Sequence, residues 1–116
     1  MSSSEILRLV ILFLAAYMIG NINPAIILGK LKGIDIRKEG SGNPGMTNAI
    51  RVMGIGAGIA VFAVDVLKAF ASVKIGYALA GDTGAMIAFA AVVLGHCFPA
   101  LYGFKGGKGV DRKSVV

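Results

Sequence analysis

The sequence predicts an all-α fold, a polytopic transmembrane helix bundle with about three spans. Three observations predict it. The 116-residue chain is 56% hydrophobic, with a mean hydropathy of +0.79. Only 16% of its residues are charged, against ~25% in soluble domains. The apolar residues gather into three runs parted by short polar or glycine-rich stretches, and a span needs ~20 mostly apolar residues. The length suits one small membrane domain. The net charge of +6 is assigned to the cytoplasmic flanks of the spans, and a nucleic-acid partner is excluded because such domains do not carry several long apolar runs. The single Cys97 excludes an internal disulfide and a cysteine-only metal cluster. The first run lacks the basic leader and cleavage site of a secretory signal.

The first apolar run covers residues 6–31, with a span over about 6–29. It is interrupted by Arg8, Asn21, Asn23 and Pro24. Pro24 has no N–H to donate, so it should kink or open the helix there. Residues 30–53 form a polar connection. The second span, about 54–79, opens on Gly54, Gly56 and Gly58, and the Gly54/Gly58 pair predicts close helix packing. Asp65 and Lys68 lie inside it, three apart and so on one face. Opposite charges at membrane depth need pairing or hydration. They read first as a structural pair and second as part of a site wall. Residues 80–84 form a turn. The third span, about 85–104, contains His96, Cys97 and Pro99, and Pro99 should end or kink the helix near Phe98. Residues 105–116 are a basic tail.

Orientation follows from the lysines and arginines. Nine of the twelve, Lys30, Lys32, Arg37, Lys38, Arg51, Lys105, Lys108, Arg112 and Lys113, lie in the first connection or the tail. The positive-inside rule places both in the cytoplasm. Two glycine-rich basic segments, far apart in sequence, then share one membrane face. The first, residues 39–51, holds Gly40, Gly42, Gly45 and the polar set Ser41, Asn43, Thr47, Asn48 and Arg51. Glycine allows close backbone approach, successive N–H groups can cradle an anion, and the arginine fork suits phosphate. A phosphate-binding loop and a flexible connector between helices explain this composition about equally well.

The second segment is Phe104-Lys105-Gly106-Gly107-Lys108-Gly109. It is not a nucleotide-binding P-loop, because Tyr102 stands where the first glycine belongs and Gly109 where Ser or Thr would bind magnesium. His96 is a secondary candidate, for helix capping or loop orientation first and proton transfer second. With no second histidine and no carboxylate cluster, neither a metal nor another cofactor is expected. Cys97 reads as a small packing residue.

Residues 40–51, the Asp65-Val66-Leu67-Lys68 stretch, Gly95-His96-Cys97-Phe98-Pro99 and residues 104–110 together resemble the bacterial acyl-phosphate:glycerol-3-phosphate acyltransferases of the PlsY family, over residues 6–110. The resemblance implies an integral enzyme of the bacterial inner membrane with a cytoplasmic site and no cofactor. It implies transfer of a fatty acyl group from acyl phosphate to the sn-1 hydroxyl of glycerol 3-phosphate, giving lysophosphatidic acid for phospholipid synthesis. Membrane lipids surround such an enzyme. Ser41, Arg51 and Lys108 are implied as phosphate-contacting catalytic residues. Asn43, Thr47, Asn48, Lys105, Gly106 and Gly107 are implied as substrate-binding. The family pattern continues to seven helices and stays small and apolar after Gly109-Val110, whereas this sequence ends in Asp111-Arg112-Lys113-Ser114-Val115-Val116. The expectation is therefore an N-terminal part with little or no activity alone. Two other readings compete. A small membrane protein binding anionic head groups explains the lysines but not the Ser41, Asn43 and Thr47 set. A transporter fragment requires its broken segments at mid-bilayer rather than at the edge.

Overall fold

The computed structural model describes residues 1–100, so residues 101–116, with Lys105, Gly106, Gly107 and Lys108, lie outside the described residues. All regular structure among the described residues is helical. Helix α1, Ser3–Gly20, opens with a capping box in which Ser2 Oγ accepts from Glu5 N and Glu5 Oε1 accepts from Ser2 N. The first apolar run breaks at Asn21–Asn23, as Pro24 requires. Pro24 starts helix α2, Pro24–Leu31, and Asn23 caps it by accepting from Ile26 N at 3.1 Å.

The polar connection is more structured than its composition implied. It holds a 3-10 turn, Ile36–Lys38, and helix α3, Met46–Met53. The reason is a short amphipathic period hidden among polar residues. Met46, Ala49, Ile50 and Met53 recur at helical spacing. Ala49 and Ile36, both fully buried, pack with Ala25, Ile26 and Val61, and Met53 lies against them. Gly54, at φ 97°, separates α3 from helix α4, Ile55–Cys97. This corrects the expected Gly54/Gly58 packing pair. Gly54 is a junction that needs a left-handed backbone, while Gly58 receives the side chain of Ile50 from α3.

Helix α4 is broken at Ala80 and Gly81, whose backbone angles are not helical. Its limbs, 55–79 and 82–97, fold back on each other. A Cβ on Gly76 would overlap the Gly84 carbonyl and lie 2.8 Å from the Ala88 Cβ. The second limb runs parallel to α1: Leu12 and Ala16 pack with Ala88 and Ala91, and Gly20 abuts Val92 and Gly95. The first limb runs the other way, with Arg8 donating to the Leu79 carbonyl and Lys68 reaching Gly20. Small residues at both crossings let the backbones approach, the usual means of packing helices without a hydrophobic driving force. The stretches Ser3–Leu31 and Ile55–Cys97 are long and apolar enough to cross a membrane.

Candidate functional site

The loop around Ser41 is built by a single buried amide. Asn48, 2% exposed, accepts from Ser41 N at 3.0 Å and donates to the carbonyls of Glu39 at 3.0 Å and Ile36 at 3.3 Å. Its side chain is thereby fully engaged with the loop. The sequence placed Asn48 among the substrate contacts; the structure gives its polar atoms to the backbone of residues 36–41. Gly40, at φ 54°, admits this arrangement, because a Cβ there would strike Asn48 Oδ1. From the other side, Asn23 Nδ2 donates to the Pro44 carbonyl at 3.2 Å. These ties make residues 39–45 a braced turn rather than a loose connector.

The exposed residues of this turn present its polar side chains. Ser41 Oγ accepts from Asn43 N at 3.3 Å, which leaves its hydroxyl hydrogen free to donate. Gly45 begins α3 without a side-chain cap, so the first N–H groups of α3 lack intrahelical acceptors. Thr47 and Arg51 are exposed and four apart, which puts them on one face of α3, opposite buried Ala49. Ser41, Asn43, Thr47 and Arg51 thus stand on the solvent side of a turn whose other side is buried. Near this turn, Arg37 hydrogen-bonds Asp35 and holds its carboxyl below the usual carboxylate range.

A second polar cluster lies inside the bundle, and the sequence joined only two of its members, Asp65 and Lys68. Lys68, 8% exposed, donates to the carbonyls of Gly20 at 3.1 Å and Ile22 at 2.5 Å. Its third hydrogen meets His96 Nδ1 at 3.0 Å. An ammonium only donates, so Nδ1 accepts and the ring proton sits on Nε2. Asp65 Oδ1 lies 3.1 Å from Lys68 Nζ and 3.8 Å from His96 Nδ1. It balances the charge by proximity, without hydrogen-bond geometry. A lone lysine at a span centre costs about 3 kcal/mol, and these four partners offset that cost. The Asp65–Lys68 pair was legible from its spacing. His96 was not legible as its partner, since 28 residues separate it from Lys68. At the end of α4 the Tyr17 hydroxyl donates to the Phe98 carbonyl and accepts from Ala100 N at 3.0 Å, which ties residues 98–100 to α1. Among the described residues, no group of three or more His, Cys, Asp or Glu side chains could hold a metal ion.

Comparison with known proteins places this geometry. Residues 10–115 match the glycerol-3-phosphate acyltransferase family. The glycerol-3-phosphate acyltransferase of Thermoanaerobacter pseudethanolicus is 56% identical over 96 residues, 82% of this chain and 48% of that protein. The protein of the same name from Bacillus subtilis is 46% identical over 107 residues, 91% of this chain and 55% of that protein. The crystal structure of PlsY, an integral membrane glycerol 3-phosphate acyltransferase in its glycerol 3-phosphate form, superposes with a TM-score of 0.79 at 41% identity, covering 87% of this chain and 52% of that one. The chain therefore spans about half the length of the relatives it matches. The shared fold and the two long apolar stretches make it a membrane protein. On the match over residues 10–115, the chain belongs to the glycerol-3-phosphate acyltransferase family.

Proposed function

We propose that this chain supplies the Ser41 loop and the Lys105–Lys108 segment of an enzyme that acylates glycerol 3-phosphate from acyl phosphate at the cytoplasmic face of the bacterial inner membrane. The observation that carries the proposal is the braced turn: exposed Ser41, Asn43, Thr47 and Arg51 beside the uncapped start of α3. Relatives crystallised in glycerol 3-phosphate and lysophosphatidic acid forms support the substrate class. The sn-1 hydroxyl oxygen attacks the acyl carbonyl carbon, the carbon–oxygen bond to phosphate breaks, and the departing phosphate takes the hydroxyl proton. Because acyl phosphate is already activated, positioning and charge stabilisation carry most of the catalysis. Ser41, Arg51 and Lys108 contact phosphate and stabilise the developing charge. Asn43, Thr47, Lys105, Gly106 and Gly107 orient the substrates, and Asn48 holds the loop. His96, with its proton on Nε2, serves as a donor rather than as a base.

The test joins residues 1–110 of this chain to the remaining part of the Bacillus subtilis relative and measures acyl-phosphate-dependent transfer to labelled glycerol 3-phosphate. Arg51→Lys removes the planar fork and should cut transfer roughly 100-fold. Lys108→Ala should cut it at least as far. Membrane content of each variant is measured alongside, and the same changes at the matching positions of the intact relative guard against a poorly assembled chimera. Transfer indifferent to both substitutions would remove the proposed site, and salt-sensitive vesicle binding without transfer would favour a head-group binder.

A further inference from the structure

We propose that Lys68 is a positioning residue that sets the placement of the Ser41 loop relative to the end of α4 and residues 98–100. The proposal rests on the acyl-transfer reading above, and it starts from the break between α1 and α2. There the carbonyls of Gly20 and Ile22 have left the helical ladder, and Lys68 supplies the donors for both. The next residue, Asn23, donates to Pro44 inside the Ser41 turn and caps α2, whose Ala25 and Ile26 pack on Ile36 and Ala49. The position of the break is thus passed to the loop within a few residues. The same ammonium holds the His96 ring, one residue before α4 ends at Cys97. One turn up α1, Tyr17 grips Phe98 and Ala100. The Ser41 loop and the end of α4 therefore both hang from one charged group.

Two features argue against a direct role for Lys68 and against mere packing. All three ammonium hydrogens are engaged by Gly20, Ile22 and His96, which leaves none for a substrate. Packing alone is achieved elsewhere in this bundle by glycine, at Gly76 against Gly84 and at Gly20 against Gly95, without placing a charge at membrane depth.

The test uses two spectroscopic readouts and one kinetic one. His96 is the only histidine, so 15N-histidine labelling of the chain reports one ring. The wild type should show the Nε2–H form with an accepting Nδ1, and Lys68→Met should give mixed tautomers. Spin labels on Glu39→Cys and Ala100→Cys, with Cys97→Ser, should give a narrow distance distribution that Lys68→Met broadens. Should Lys68→Met fail to assemble, His96→Phe cuts the second tie alone and should broaden the same distribution. In the chimera, Lys68→Met should lower kcat by roughly 100-fold through misplacement, with a smaller change in KM. An unchanged histidine spectrum and superimposable distances would overturn the proposal, and lost turnover beside them would make Lys68 a direct participant. A wild-type chimera without transfer would defeat the acyl-transfer reading, while the spectra would still judge the coupling.

Discussion

Replacing Asn48 with alanine should unfasten the Ser41 loop while leaving the bundle intact. The side chain makes three hydrogen bonds, to Ser41 N, Ile36 O and Glu39 O, at 3.0, 3.3 and 3.0 Å. The residue is 2% exposed, so water does not replace these partners at once. At a net value near 1 kcal/mol each, their loss makes local opening easier by about 3 kcal/mol, a factor of roughly 150. The bundle is held by other contacts, chiefly the small-residue crossings of α1 and the two limbs of α4. Amide hydrogen exchange read by mass spectrometry checks this. Peptides covering residues 36–43 should lose protection by about two orders of magnitude, and peptides from residues 60–75 should be unaffected. Transfer by the chimera should fall with the loop, because the Asn48 side chain is engaged by the backbone of residues 36–41. If the 36–43 exchange rates stay within about threefold of wild type, Asn48 is not the brace and the account of the loop is refuted.

Two further outcomes follow from the same contacts. Gly76→Ala drives a methyl into the Gly84 carbonyl where the α4 limbs cross, and should cost about 1–3 kcal/mol by overpacking; thermal unfolding in detergent measures it, and Gly56→Ala, whose Cβ would meet open space, is the control. Asp35 has its folded-state pKa lowered by the Arg37 hydrogen bond, so its contribution to the 36–38 turn is present above the unfolded carboxylate value of about 3.9 and is lost as pH falls through the lower folded value. Exchange of the Arg37 amide, which donates to Asp35 at 3.1 Å, should accelerate beyond its intrinsic pH trend only in that acid range, and Asp35→Asn should abolish the dependence.

The sequence by itself determined the helical class, the break before Pro24, the end of α4 beside Pro99 and the family. Each is a local property: an apolar run, a missing N–H, or a fixed order of motif residues. It also assembled the polar residues of the Ser41 turn, because glycine and short donors are conspicuous in an apolar chain. It missed α3, since four apolar residues at helical spacing are diluted by Thr47, Asn48 and Arg51 between them. Only the tertiary structure showed that the Asn48 side chain bonds the loop backbone, because its burial depends on Ile36, Ala49 and Val61 packing together. Only it brought Lys68 to Gly20, Ile22 and His96. Periodicity says which face of a helix a side chain occupies, but the partner it meets is set by where distant helices cross, and here glycine pairs at those crossings fix that geometry.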